Sequence, residues 1–349
     1  MKRWSIIYAL GLCAVLSACS SPEPSESGAT GDTGTPEKSI VVVYTPHGPE
    51  VGKDYEKLFE AAYPHIDMQW LDMGSQDVFN RINAEQQRPS CDVWWGGPST
   101  MFMKAAQQGL LAAYVPTWDA GVADGFKDPT GYWYGTYKTP IAIMFNTRHY
   151  TRDSVPQTWS DLLAPVWDQK IAMRFPLPSG TMRTFIGSVM IREGGDDAGI
   201  AWLKQLHAST KDYPKSPQLL FDTMKRNEDL ISVWLAPDAV LQREANGYPF
   251  DFYVPAQAPV LTEGIALVAN APHRANAELF YEFVTTQEAL VHQAQTYAKI
   301  PTRSDIDSTQ LPEWMTTQTI DALPIDWNLF AEKEQEWMDR WKNEVYETR

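Results

Sequence analysis

The sequence contains little cysteine, with three residues in a chain of 349. Cys13 and Cys19 lie in or next to an N-terminal apolar stretch, which leaves Cys91 as the one thiol of the remaining chain. That remainder cannot form an internal disulfide. Because Cys91 lies in an apolar stretch, we predict a buried small side chain rather than a catalytic nucleophile.

The sequence also lacks the residue spacings of common catalytic centres. It has no HExxH or CxxC motif, no Gly-x-Ser-x-Gly nucleophile turn and no phosphate-loop lysine motif. The six histidines are dispersed along the chain, at His47, His65, His149, His207, His273 and His292. The sequence therefore predicts that the protein is not an enzyme and needs no cofactor, and an envelope hydrolase is the less favoured alternative.

Basic residues are outnumbered, with 29 Lys and Arg against 44 Asp and Glu and a net charge of −15. Such a charge argues against nucleic acid, or an anionic lipid surface, as the partner. It suits a soluble body and says little about a ligand, because local fields inside a cleft can oppose the global one. No repeat and no low-complexity run follows residue 38.

The N-terminus has the layout of a secretory signal. Lys2 and Arg3 precede the apolar run 6–16, which is shorter than the roughly 20 residues that a membrane-spanning helix needs. The sequence Leu-Ser-Ala-Cys ending at Cys19 resembles a bacterial lipoprotein processing box, which implies cleavage after residue 18 and lipidation of Cys19. An ordinary cleaved signal, with Cys19 nearby by chance, is the alternative.

Residues 19–38 are rich in Ser, Gly, Pro, Thr and Glu and contain no large apolar side chain. Such a segment cannot bury enough apolar surface to offset its ordering entropy. We therefore predict a flexible tether that holds a folded body near the membrane. The expected location is the cell envelope, periplasmic or extracytoplasmic, with anchoring through Cys19.

From residue 39 onward, β-branched or aromatic runs alternate with loops and amphipathic stretches. The runs at 39–44, 67–71 and 91–95 are each followed by a Gly-, Ser- or Thr-containing loop and then a helical pattern. This order predicts an α/β fold with mostly parallel sheets, in which ligands bind beyond the carboxyl ends of the strands. The loop residues expected there are Thr45, His47, Ser75, Gly97 and Ser99, and Ser75 is the predicted N-cap of its helix.

A second βα region follows two runs, 133–136 and 139–146, that we interpret as adjoining strands crossing between lobes. Further strands are predicted at 170–174 and 229–234, and the run 259–268 is the predicted return crossing. The predicted divisions are the signal peptide 1–18, the tether 19–38, lobe 1 at 39–139, lobe 2 at 140–257, the return to lobe 1 at 258–300 and a C-terminal helical segment at 301–349.

The order and spacing of three fragments resemble a known family. They are 156–163 (PQTWSDLL), 178–181 (PSGT) and Glu263-Gly264 followed by 271–280 (APHRANAELF). The family is that of the extracellular solute-binding proteins of ABC importers, with the type 2 periplasmic binding fold, in the branch containing ferric-ion and phosphorylated-solute binders. The resemblance implies two lobes, each a mostly parallel sheet flanked by helices and joined by crossover strands, that close on a solute as a monomer and deliver it to a membrane permease.

Ferric-binding members of the family hold iron through a His, a Glu and a pair of tyrosines. His47 matches the first of these, but the loop after the third strand reads Gly96-Gly97-Pro98, and Leu235-Ala236-Pro237 stands where the tyrosine pair is expected. A ferric ion needs hard oxygen ligands, which one imidazole does not supply. The sequence therefore predicts no metal, and ferric-ion binding is kept as the alternative function.

The anion-binding part of the family pattern is retained at Ser179, Gly180 and Thr181. This tripeptide opens a predicted helix, where free backbone N–H groups and the helix dipole favour phosphate, phosphonate or carboxylate. Arg183 and Arg174 lie close enough in sequence to contact such an anion. The alternative is that Ser179 only caps its helix.

Two further residues complete the predicted site. Trp234 ends a strand at the expected cleft edge and could stack on the ligand, and Glu263 precedes a glycine at the return crossing and could accept hydrogen bonds from ligand hydroxyls. The predicted function is capture of a small acidic solute, best an organic phosphate or phosphonate. The predicted ligand residues are Thr45, His47, Ser75, Gly97, Ser99, Ser179, Gly180, Thr181, Arg183, Trp234 and Glu263.

Overall fold

A computed structural model describes residues 39–317 and 320–348. The predicted signal peptide, tether and lipidation site at Cys19 lie outside the described residues. In the part of the chain that is described, no helix is both long and apolar enough to cross a membrane.

The elements alternate between strands and helices along most of the chain, as the sequence predicts. The strands are β1 (Ser39–Thr45), β2 (Ile66–Asp72), β3 (Val93–Pro98), β4 (Leu111–Ala112), β5 (Tyr134–Asn146), β6 (Ile171–Ala172), β7 (Thr210–Asp212), β8 (Ile231–Leu235), β9 (Phe250–Tyr253), β10 (Val260–Val268) and β11 (Ile300–Pro301). The helices are α1 (Pro49–Ala62), α2 (Ser75–Ala84), α3 (Ser99–Gln107), α4 (Gly180–Arg192), α5 (Asp196–Ser209), α6 (Pro217–Arg226), α7 (Ala236–Asn246), α8 (Arg274–Val284), α9 (Gln287–Tyr297), α10 (Glu313–Thr317) and α11 (Trp327–Arg340), which continues as a π-helix (Trp341–Tyr346).

The first sheet has the strand order β2-β1-β3-β10-β5. Strands β2, β1 and β3 are parallel, whereas β10 is antiparallel to both β3 and β5. The short strands β4 and β11 pair with β10 and β5 at the margins of this sheet. The predicted parallel arrangement is therefore confirmed for β1, β2 and β3, and the inner strands of the sheet make it mixed.

The second sheet has the order β5-β8-β6-β7, and β9 also pairs with β5. Strands β6, β7 and β8 are parallel to one another, and β5 is antiparallel to β8. Helices α4 to α7 follow or flank these strands. The outer strands again carry the parallel pattern that the βα order predicts.

Strand β5 belongs to both sheets. Its first half, up to Pro140, pairs with β10, and from Ile141 onward it pairs with β8 and β9. The predicted pair of adjoining strands is therefore one continuous strand of 13 residues. Every residue of β5 except Lys138 is buried, which explains why the apolar pattern runs on without a turn signal.

The C-terminal helix packs on the second sheet's helices. Gly187 of α4 allows this approach, since a β-carbon there would lie 2.4 Å from Phe330 Cε2 and 2.9 Å from Trp337 Cε3. Both aromatic rings are buried in the core that surrounds the second sheet. Helix α11 also packs against α3, which follows the first sheet's strand β3.

Candidate functional site

The carboxyl ends of four strands meet in one region between the sheets. Helices α2 and α3 begin there after β2 and β3, and α4 and α7 begin there after β6 and β8. The two sides are in contact, because a β-carbon at Gly180 would lie 2.7 Å from Pro98 Cγ, and one at Gly74 would lie 3.6 Å from the carbonyl oxygen of Pro178. The convergence expected from the βα order is thus present.

Glu263 lies at the centre of this region. It stands opposite Pro98 in the β10–β3 pairing, and its Oε2 accepts a 2.8 Å hydrogen bond from the Gly97 backbone N–H. Glu263 is 9% exposed, and its carboxylate lies close enough to the Tyr137 side chain to interact with it electrostatically. Glu263 therefore holds the β3–α3 loop and presents a second carboxylate oxygen to the interior.

His47 completes this wall from the β1–α1 loop. Its Nε2 shares a hydrogen bond with the buried Tyr137 hydroxyl, and its ring packs edge-on against Trp95 at 4.4 Å between ring centroids. Among the described residues, nothing hydrogen-bonds its buried Nδ1. Gly96 makes room for the ring, because a β-carbon there would lie 2.5 Å from His47 Nε2. Its φ of +99° is also a backbone conformation that glycine adopts readily and other residues rarely do.

The second sheet contributes an acid and an arginine that face the same interior. Trp234, at the end of β8, donates from Nε1 to Asp238 Oδ2 at 2.6 Å, in the first turn of α7. The Arg174 guanidinium lies 5.7 Å from the centre of the Trp234 ring and interacts electrostatically with Asp238. Its buried Nε has no hydrogen-bond partner within residues 39–317 and 320–348.

Burial shapes the protonation of this cluster. It raises the pKa of Glu263 and of Asp238, and in both cases Lys299 opposes part of the shift. It raises the pKa of the Tyr137 hydroxyl well above its usual range. For His47, burial and the Lys299 charge both lower the pKa well below its usual range, so the imidazole is neutral.

The predicted anion motif lies at the start of α4. Ser179 is the N-cap and is 1% exposed, and its Oγ accepts a hydrogen bond from the Met182 N–H at 3.3 Å. Ser179 therefore caps α4. The Ser179 hydroxyl can still donate its proton, and Gly180 and Thr181 occupy the first turn, where N–H groups lack intrahelical acceptors. Contact with a ligand stays a prediction for all three.

Arg183 has three partners, two in α11 and one in the loop before α4. Its Nε forms a 2.9 Å ion pair with Glu334 of α11, its Nη2 donates to Gln335, and its Nη1 donates to the Leu177 carbonyl oxygen. The guanidinium is thus engaged in the second-sheet side of the molecule. Direct contact of Arg183 with a ligand is not what this arrangement favours.

The remaining predicted residues lie at the first sheet's loop ends. Thr45 is buried, and its Oγ1 accepts a hydrogen bond from the His47 backbone N–H. Ser75 is the first residue of α2 with Gly74 as the N-cap, so the predicted capping role of Ser75 is wrong by one position. Ser75 lies beside Gly97, and Ser99 is the buried first residue of α3.

Sequence reasoning missed Asp238, Tyr137 and Lys299. Asp238 follows Ala236 and Pro237 at a helix start, a signal as good as the one that pointed to Ser179. Tyr137 lies in the middle of a strand, and Lys299 follows α9, so neither carries a local signal. Within the described ranges, no group of three or more His, Cys, Asp and Glu side chains could hold a metal ion.

Comparison with known proteins identifies the family. Residues 97–326 match the family model described as bacterial extracellular solute-binding protein. The chain is 21% identical over 316 residues, covering 87% of this chain and 86% of the relative, to a probable ABC transporter periplasmic-binding protein of Sinorhizobium fredii.

Solved structures agree with this family. The periplasmic binding protein P5PA superposes with a TM-score of 0.77 at 25% identity, over 88% of this chain and 100% of the other. AfuA from Actinobacillus pleuropneumoniae, solved with fructose 6-phosphate bound, gives a TM-score of 0.78 at 23% identity, over 88% and 99%. At 23% identity, the similarity to AfuA shows a shared fold and no more.

The chain belongs to the bacterial extracellular solute-binding proteins. It is the solute-binding component of an ABC transporter and has the type 2 periplasmic binding fold. The predicted family, fold class and general role are confirmed at this level.

Proposed function

We propose that the protein captures a small organic phosphate or phosphonate between its two lobes and delivers it to a transporter permease. The proposal rests on a difference between the two walls of the candidate site, which are the sides contributed by the first and by the second sheet. The second sheet's side offers the backbone N–H groups and the Ser179 and Thr181 hydroxyls of the α4 start, together with the incompletely paired Arg174 and with Asp238. The first sheet's side contributes Glu263 and His47. An anion and a hydroxyl-rich or amine-bearing remainder fit these two walls.

The anionic end of the solute binds at the α4 start. Free N–H groups of a first helical turn and the positive end of the helix dipole stabilise a phosphate or phosphonate there. Gly180 brings its backbone close to Pro98, so closure of the lobes excludes water from the anion. Arg174 supplies a guanidinium whose Nε is buried, and a charge-assisted bond to the ligand would satisfy it.

The other end of the solute meets acceptors. Glu263 and Asp238 can each accept hydrogen bonds from hydroxyl or ammonium groups, and the neutral His47 adds an unpaired ring nitrogen. Closure follows from differential affinity for the closed form, because a ligand that bridges both walls binds the open form less well. Delivery of the solute uses binding and release, and no catalytic step is part of this proposal.

The N-terminal features extend the proposal. Cleavage after residue 18 and lipidation of Cys19 would leave residues 20–38 as a tether that keeps a monomeric binding body close to the permease at the membrane. Metabolic labelling with a radioactive fatty acid tests this point. Wild-type protein should incorporate label, and a Cys19→Ser variant should not.

The experiment that tests the solute class is calorimetric titration of the purified protein with fructose 6-phosphate, other sugar phosphates, 2-aminoethylphosphonate, the unphosphorylated sugars and ferric citrate. A phosphorylated or phosphonate compound should bind, and its counterpart without the acidic group should not. Ser179→Ala combined with Thr181→Ala should weaken binding more than about tenfold, a loss of about 1.4 kcal/mol.

Ser216→Ala is the matched control for this double variant. Ser216 caps α6 as Ser179 caps α4, with its side chain accepting the Leu219 N–H, and it stands on another helix. Loss of either cap should cost about 1 kcal/mol of stability. The double variant and the control should therefore differ in ligand affinity rather than in stability. Unchanged affinity in the Ser179 and Thr181 variant, or binding of ferric citrate alone, would contradict the anion assignment.

A further inference from the structure

A buried ion pair joins the helix that starts at the anion motif to the C-terminal helix. Arg183 is 5% exposed and Glu334 is 7% exposed, and Arg183 Nε lies 2.9 Å from Glu334 Oε1. Gln335 Oε1 accepts a second hydrogen bond from Nη2 at 3.2 Å. Two groups of α11 therefore fix the plane of the guanidinium.

The third contact of the guanidinium reaches the candidate ligand loop. Arg183 Nη1 donates to the Leu177 carbonyl oxygen at 3.3 Å. Leu177 lies in the segment between β6 and α4, which has no regular secondary structure, two residues before the N-cap Ser179. The segment is also held by the Ser179 N–H, which donates to the Pro176 carbonyl oxygen. Arg183 thus ties this loop to α11.

Stability alone does not account for such a pair. Desolvation of two charges cancels much of their attraction, and apolar replacements of similar volume are often as stable. Contacts with α11 instead fix the orientation of the planar guanidinium, so its remaining N–H groups point in a defined direction. One of them points at the Leu177 carbonyl oxygen. The conformation of this loop sets the positions of the Gly180 and Thr181 N–H groups.

We propose that Arg183, oriented by Glu334, is a positioning residue that holds the loop before α4 and the first residues of that helix, 177–181, in an anion-receiving conformation, so that α11 supports the binding site without touching the ligand. The ligand part of this inference rests on the proposed function. The loop part does not, because it concerns a conformation that exists without ligand. Helix α11 also packs against α3, so the support reaches the opposite wall.

The test is hydrogen exchange of the full chain without ligand, followed by mass spectrometry. The main variant is Arg183→Met combined with Glu334→Met, which removes both charges and leaves no buried charge unpaired. Peptides that cover 175–182 should exchange at least about tenfold faster than in the wild type, which corresponds to about 1.4 kcal/mol of local opening. The melting temperature should change little.

Arg340→Met combined with Glu344→Met is the control, because it removes another ion pair of the same C-terminal region and should leave peptides 175–182 unchanged. If the main variant does not fold, hydrogen exchange of Arg183→Lys takes its place as the test. A lysine keeps a charge for Glu334 but lacks the fork, so the loop should again exchange faster than in the wild type. Wild-type exchange of 175–182 in a folded main variant, or in Arg183→Lys where only that variant folds, would overturn the proposal.

Affinity separates this inference from the proposed function. In the main variant the affinity for whichever phosphorylated or phosphonate probe binds the wild type should fall at least about tenfold, with the control unchanged. Absence of binding in the wild type would contradict the proposed function, and the exchange measurement would still decide the role of Arg183. Faster loop exchange with unchanged affinity would contradict the ligand part alone.

Discussion

The backbone of Gly180 lies against the ring of Pro98, so closely that a β-carbon at position 180 would stand 2.7 Å from Cγ and 3.0 Å from Cδ. Pro98 ends β3 of the first sheet, and Gly180 begins α4 beside the second. This contact joins the first sheet's side to the second sheet's side at the start of the candidate anion site. A side chain at position 180 therefore acts directly on closure.

Gly180→Ala should hold the lobes apart, because the proline ring is part of a buried strand end and cannot withdraw. We expect a larger radius of gyration by small-angle X-ray scattering with ligand present, and at least about tenfold weaker binding. Gly125→Ala is the control, since a β-carbon there meets nothing within 4 Å. Scattering and affinity equal to those of the wild type would refute the role of this contact.

Glu263 and Asp238 should make the folded protein less stable as the pH rises. Burial raises both pKa values above their usual 4.5 and 3.8, so the folded state binds these protons more tightly than the unfolded state. The free energy of unfolding therefore declines with rising pH from these usual values to the raised ones, by at most about 1.4 kcal/mol per pH unit for each group.

Glu263→Gln should remove the Glu263 share of this decline and raise the free energy of unfolding at neutral pH, while it weakens ligand binding. Urea denaturation of both proteins across the acid and neutral range measures the difference. Glu228→Gln, at an exposed ion pair with Arg148, serves as the comparison. Equal slopes in the wild type and Glu263→Gln would show that Glu263 titrates normally.

His47 should make the folded protein less stable as the pH falls, the opposite of the two carboxyl groups. Its pKa is lowered below the usual 6.5, so the stability it contributes is present above about pH 6.5 and is lost as the pH falls toward the lowered pKa. His47→Gln should remove this loss, whereas His65→Gln, at an exposed position, should keep it. Denaturation midpoints measured below pH 6.5 decide between them, and an unchanged loss in His47→Gln would contradict the expectation.

Gly187→Ala should destabilise the protein, although alanine favours helix over glycine by about 1 kcal/mol. The new methyl group would overlap the Phe330 ring, and overpacking of this kind costs about 1–3 kcal/mol. The expected result is a lower melting temperature with loss of α11 contacts. A higher melting temperature would mean that α11 moves aside without cost.

The βα order in the sequence was enough to predict which loops converge, because the carboxyl ends of parallel strands share an edge. It placed the loops of His47, Gly97 and Ser179 in one region, and the predicted return crossing added Glu263. The positions of Tyr137 and Lys299 could not be predicted in this way, since they depend on how β5 pairs with β10 and β11. Long-range register of that kind leaves no local pattern.

Arg183 is a second case in which a long-range contact could not be predicted from the sequence. Its nearness to the Ser-Gly-Thr turn along the chain suggested contact with an anion, but its ion-pair partner Glu334 lies 151 residues later. Arg174 also lies near that turn along the chain but is not among the predicted ligand residues, and its guanidinium interacts with Trp234 and Asp238. Sequence distance identified the candidates, and only the packing of α11 distinguishes between them.

The position of β10 between β3 and β5 has a consequence for the order in which the chain can acquire structure. Strands β3 and β5 have no pairing with each other in the finished sheet, and both bind to β10. A chain that emerges from its N-terminus can build β1, β2 and β3, but the first sheet stays incomplete until residues 260–268 arrive. The second sheet's strands all precede that point, so it can form first. Removal of β10 should therefore leave a chain in which the two halves of the first sheet never join.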